Sequence, residues 1–182
     1  MKRELRLHFP RVHIRAGVLA LFALAMQAIA IFAPLGFDDV PKRLLFEISY
    51  VVLIFFAIVN LPRLGFLIIG VGLLLNFLPI VANSGLMPVT AENLAKIGQL
   101  DRIEGRVDGD AIPRTKNVLK TKEDTHFYVL SDRLVFDNPA YVPILSIGDL
   151  VIGAGLVVTL GDLFLPRVQR SRQVSRSPYV RN

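Results

Sequence analysis

Six polar or ionisable residues in the largely apolar stretches of this 182-residue chain are candidates for chemistry: Gln27, Glu47, Asn76, Asp149, Thr159 and Asp162. A carboxylate in such surroundings keeps its charge only at a cost, so Glu47, Asp149 and Asp162 are candidates for a proton relay or for cation coordination. The amides and hydroxyl of Gln27, Asn76 and Thr159 are candidates for lining a polar path between helices. Each has a plainer reading beside the chemical one. Glu47 lies close to one end of its apolar stretch, beside Lys42 and Arg43, and Asp162 close to the end of its own, near Arg63 and Arg167, where interfacial ion pairing accounts for both. Asn76 is near the middle of its stretch, and an interhelical hydrogen bond there is worth about 1 kcal/mol or less.

The elements that must position these residues are helices of bilayer length. The runs 16–35 and 64–82 contain no charge over 20 and 19 residues, 147–165 has 19 residues with Asp149 and Asp162 near its ends, and 44–60 has 17 with Glu47 alone. About 20 apolar residues span the roughly 30 Å of a hydrocarbon core. Three of the runs carry small or polar residues at helical spacing: Ala16, Ala20, Ala23, Gln27, Ala30 and Pro34; Gly65, Gly72, Asn76, Pro79 and Asn83; Gly148, Gly155, Thr159 and Asp162. Such faces let helices approach closely in lipid. The pattern predicts an all-α membrane protein with four transmembrane helices and a long, partly helical exoplasmic loop between the third and the fourth. If the third and fourth pack antiparallel, Asn76 is expected level with Gly153 and Gly155.

Charge orients the bundle. Five basic residues precede the first run, five follow the last, and Arg63 sits in the turn between the second and third, eleven of 21 in all against the single acid Glu4. Cytoplasmic segments retain Lys and Arg, so both termini are expected on the cytoplasmic side. The first run exceeds the 7 to 15 apolar residues typical of a secretory signal and is kept as a helix. The domain plan is then a basic cytoplasmic N-terminus (1–15), three transmembrane helices (16–82), an exoplasmic loop (83–146), a fourth helix (147–165) and a basic, disordered cytoplasmic tail (166–182). The tail's arginines suit anionic headgroups better than nucleic acid, so the expected partners are the lipid bilayer and either other membrane subunits or a second copy of the chain.

Several chemistries have no residues to carry them. The chain has 0 cysteines, and its three histidines, His8, His13 and His126, lie outside the apolar runs, which leaves no thiolate metal site and no axial haem ligand; no cofactor is expected. It lacks HExxH, GxSxG, Walker and GxGxxG patterns and internal repeats. The expectation is a non-enzyme. An outer-interface enzyme using Asp132 and Asp137 is a minor alternative.

Within the loop, Thr90 can cap a short helix from Ala91 to Ile97 that Gly98 ends. The charged, Gly- and Pro-punctuated stretch 101–124 reads as a mobile excursion, and 125–136 as a helix lying at the membrane surface, ended by Asp137-Asn138-Pro139. Asn83-Ser84-Gly85 reads as a helix exit with Gly85 left-handed. Ser146-Ile147-Gly148-Asp149 fits a capping box, the serine oxygen meeting the amide of 149 and the aspartate reaching back to the amide of 146; the same four residues are also compatible with an ion-sensing helix start.

Asn76, the run Asn83-Ser84-Gly85-Leu86-Met87-Pro88-Val89 and the Ser-Ile-Gly-Asp opening of the last apolar run together resemble a family of small bacterial integral membrane proteins described only as a domain of unknown function. Ser84 stands where that pattern has glycine. The resemblance covers roughly 44–165. It implies a multi-pass bacterial membrane protein and supplies no activity, ligand or catalytic residue. The reading that follows is a structural or accessory subunit within a larger membrane complex, with a small transporter or channel component as the alternative.

Overall fold

A computed structural model describes residues 6–8, 14–33, 39–136, 144–164 and 167–169. The chain is mostly helical. Strand β1 (Arg6–His8) precedes helices α1 (Gly17–Phe32), α2 (Asp39–Val59) and α3 (Leu64–Ala82). Strand β2 (Met87–Val89), the short helix α4 (Ala91–Lys96) and strand β3 (Asn117–Leu119) follow, and α5 (Ile147–Phe164) and strand β4 (Arg167–Gln169) complete the order. Among the described residues, two helices, α3 and α5, are long and apolar enough to cross a membrane, and α1 is apolar but shorter at 16 residues. The second apolar helix begins at Asp39, ahead of the run that announces it, and takes in Lys42 and Arg43. Pro34, Asp137, Asn138, Pro139 and Pro143 and the tail beyond Gln169 lie outside the described residues.

Helices α3 and α5 form the tightest pair, and glycine is the reason. A Cβ added at Gly72 would sit 2.7 Å from the Ile152 amide nitrogen, and one at Gly155 would sit 2.7 Å from that of Ile69. Neither backbone can yield, so the two helices are held at a spacing that any larger residue would break. Gly65, Gly72, Asn76 and Pro79 are buried along this face of α3, as are Gly148, Gly155 and Thr159 along that of α5. Both stripes read from the sequence are thus a packing face. The register differs from expectation: Asn76 abuts Gly148, not Gly153 or Gly155. The capping box fixes the start of α5 beside Asn76, so the last six residues of α3, Phe77–Ala82, about 9 Å at 1.5 Å per residue, rise past it.

The loop packs as a cap around that protruding end. Its core comprises Leu86, Met87, Ala111 and Val118, joined to α3 through Ile80, with Val89, Leu94, Ile112 and Ile144 in a second cluster. β2 and β3 pair in parallel, Met87 with Asn117 and Val89 with Leu119. Stretch 101–124 is therefore no simple excursion, since Ala111, Ile112 and Val118 are buried within it. The expected surface helix over 125–136 is also replaced. Phe127 is left-handed (φ 55°), a single 3₁₀ turn covers Tyr128–Leu130, and the chain then bridges Asp132 to Val89 and Leu134 to Leu145. The local helix loses because those bridges pair backbone groups that would be costly to bury unpaired. Thr90 does cap α4, its Oγ1 accepting from the Asn93 amide at 3.3 Å, and Gly98 follows with φ 68°.

Asn83 and Arg43 help to hold cap to bundle. Asn83 Nδ2 donates to Pro79 O (2.7 Å) and His126 O (2.9 Å), while its Oδ1 accepts from the His126 amide (3.0 Å). Arg43 donates to Ser84 O (2.9 Å) and Gly109 O (3.0 Å), so it serves carbonyls where an ion pair with Glu47 is expected; Glu47 instead lies against Gly85, which turns with φ 86°. At the opposite end of the bundle, β1 and β4 pair antiparallel, Leu7 opposite Val168.

Candidate functional site

The first residues of α5 build the core of the site. Ser146 Oγ accepts from the Asp149 amide at 3.0 Å, and Asp149 Oδ2 accepts from the Ser146 amide at 3.1 Å, the reciprocal capping box expected from Ser-Ile-Gly-Asp. Gly148, lacking a Cβ, admits Asn76 from α3. Asn76 then completes the box: its Nδ2 donates to Asp149 Oδ1 at 2.7 Å, and its Oδ1 accepts from Ser146 Oγ at 2.7 Å. Tyr50 from α2 approaches the same amide.

The cap supplies the charge. Lys116, just before β3, places Nζ 3.0 Å from Asp149 Oδ2 and 3.4 Å from Asp132 Oδ1. Asp132 is 1% exposed, and Asn117 Nδ2 donates to its Oδ2 at 2.7 Å while Oδ1 has the ion pair with Lys116 and no hydrogen bond. One ammonium thus bridges two carboxylates on different elements. Burial alone would lower the Lys116 pKa, but Asp132 and Asp149 outweigh it and hold the ammonium above its usual range. Burial raises the Asp132 carboxyl, against the opposing pull of Lys116 and the Asn117 hydrogen bond. Chemically the cluster is a closed electrostatic latch in which the lysine occupies the place between two acids that a cation would take. Among the described residues no group of three or more His, Cys, Asp or Glu could hold a metal ion.

Of the six residues singled out in the sequence, only Asn76 and Asp149 meet. Gln27 lies on α1, half-buried, with a buried Nε2 that makes no hydrogen bond. Thr159 donates to Gly155 O within its own helix at 2.8 Å, next to Gly65. Asp162 is half-buried near the far end of α5, and Glu47 half-buried beside the α3 exit turn. Lys116 and Asn117 are the residues the sequence conceals, set in a charged stretch that resembles solvated loop. Asp132 is singled out in the sequence only with Asp137, in the minor reading of an outer-interface enzyme, and not as a partner of Lys116.

Against this geometry stands one match to known proteins: the model of the family of unknown function DUF5317 aligns with residues 11–160. The chain belongs to that family. The matched region takes in all the residues of the DUF5317 latch, from Tyr50 on α2 to Asp149 on α5. No curated protein and no solved structure matches the chain.

Proposed function

We propose that this DUF5317 protein is a non-enzymatic, multi-pass protein of the bacterial cell membrane, with four spans, both termini cytoplasmic and a folded exoplasmic cap, acting as a structural or accessory subunit of a larger membrane complex. The observation that carries this reading is how the interior polar groups are used. Asn76, Ser146, Asp149, Lys116 and Thr159 bind one another or their own backbone, and backbone closes on backbone between α3 and α5. A bundle whose central polar residues are engaged in holding α3, α5 and the cap together is a scaffold. The outward faces are apolar, with Phe22 on α1, Phe55 on α2, Leu74 on α3 and Val157 on α5 all more than half exposed or close to it, as lipid or subunit contact requires. Pairing of β1 with β4 sets Arg6–His8 beside Arg167–Gln169, in keeping with an even number of crossings between them.

The transport alternative has less support. Gln27, Thr159 and Asp162 do not join Asn76 in a continuous path, and of these four Gln27 alone has a buried side-chain polar atom left without a hydrogen bond. The deciding experiment extracts the protein from its native membrane in mild detergent by a C-terminal tag and weighs it by native mass spectrometry. Stoichiometric companion subunits are the expected result. A homogeneous homo-oligomer without companions overturns the accessory role and directs the protein to liposome flux assays, and recovery without detergent overturns membrane integration itself.

A further inference from the structure

At the end of the bundle opposite the cap, the turn between α2 and α3 closes on the start of α1. Asn60 ties the two together: its Oδ1 accepts from the Arg15 amide and its Nδ2 donates to Arg15 O, both at 2.9 Å, with a further bond to Phe56 O. Beside this tie is a cavity of about 90 Å³ lined by Arg15, Val59, Asn60, Pro62 and Arg63. Arg63 Nη1 is buried and has no hydrogen-bond partner. Among the described residues, neither Arg15 nor Arg63 pairs with a carboxylate.

A buried guanidinium N–H without an acceptor is costly, and two cations at one small cavity repel each other unless an anion lies between them. Guanidinium groups match the oxygens of a phosphate in geometry as well as charge. The volume suits one tetrahedral phosphate and leaves no room for a nucleotide. We propose that this cavity is a phosphate-binding site, with Arg63 Nη1 as the buried donor and Arg15 as the second cation. The phosphate is that of an anionic lipid headgroup or a free phosphate ion. The lipid source rests on the membrane reading above, since Arg15 and Arg63 then lie at the cytoplasmic leaflet, where anionic lipids collect; the free-ion source does not.

The test is thermal unfolding of the detergent-purified full chain, followed by circular dichroism, with additions of phosphatidylglycerol, phosphatidylcholine or inorganic phosphate at constant ionic strength. The expected result is a concentration-dependent rise in midpoint with phosphatidylglycerol and none with phosphatidylcholine. Arg63→Gln should need about tenfold more lipid for the same rise, and Arg63→Lys should fall between. A rise with inorganic phosphate alone assigns the site to the free ion. If Arg63→Gln does not fold, Arg15→Gln is read in its place, with the same loss expected. No rise with either phosphate source, or equal rises in wild type and variant, overturns the site. Should the chain prove soluble without detergent, the membrane reading fails and the inorganic phosphate arm still decides the cavity.

Discussion

Asn76 and Asp149, 73 positions apart in the chain, are joined by a 2.7 Å hydrogen bond at the point where α5 begins. The bond lies between a helix that continues past it and a helix that starts at it. Replacing Asn76 by Leu leaves Asp149 Oδ1 and Ser146 Oγ with unmet hydrogen-bonding capacity in a buried place. The expected cost is about 1–3 kcal/mol, read as a lower thermal midpoint in detergent, with subunit assembly weakened in proportion. Loss of solute flux in a variant that still assembles would contradict the structural role.

Lys116 bears more weight, because its removal strands two carboxylates. Lys116→Met is expected to destabilise by about 3–5 kcal/mol. Adding Asp132→Asn to it should recover part of that loss, since one of the stranded charges is then gone. Additive losses in chemical denaturation of the single and double variants would show that the two residues are not coupled.

The same lysine gives the pH dependence a sign. Its folded pKa is raised above the unfolded value, so its contribution is fully present below about 10.4, the ordinary lysine value, and is lost as pH climbs through the folded value. The thermal midpoint of the wild type should therefore fall above that pH. Lys116→Arg, which keeps its charge there, should fall less, and parallel curves for the two proteins would exclude Lys116 as the source.

Glycine positions on the two packed helices separate contact from propensity. Gly72→Ala places a methyl 2.7 Å from the Ile152 nitrogen, so a loss of about 1–3 kcal/mol is expected as α3 and α5 are forced apart. A Cβ at Gly153, one residue beyond Ile152, meets nothing within 4 Å, and Gly153→Ala should be neutral or stabilising by up to about 1 kcal/mol. Equal effects at both positions in a thermal melt would refute the close-packed face.

The helical face of the molecule was legible in the sequence because its signals are local. Glycines at intervals of seven, a serine three residues ahead of an aspartate, and a threonine before Ala91 each act within a turn or two of themselves, and each performs as its spacing implies. The cap was not legible, because β2 and β3 pair across some thirty residues and nothing in Met87–Val89 names Asn117–Leu119 as its mate. Lys116 was hidden for the same reason. In a stretch with Arg102, Arg106, Arg114, Lys120 and Lys122, only the parallel register distinguishes the one cation that reaches both Asp132 and Asp149. The misplaced level of Asn76 has a similar origin: centring two apolar runs on each other ignores a capping box that pulls one helix off centre.

The 73-residue interval between Asn76 and Asp149 also sets a schedule for synthesis. At 5–20 residues per second the ribosome needs roughly 4 to 15 s to deliver the second residue after the first. Throughout that interval the glycine face of α3 has been made and its mate has not. The nascent protein therefore presents Gly65, Gly72 and Asn76 uncovered, and the cap must come off the ribosome before the last helix can close on them.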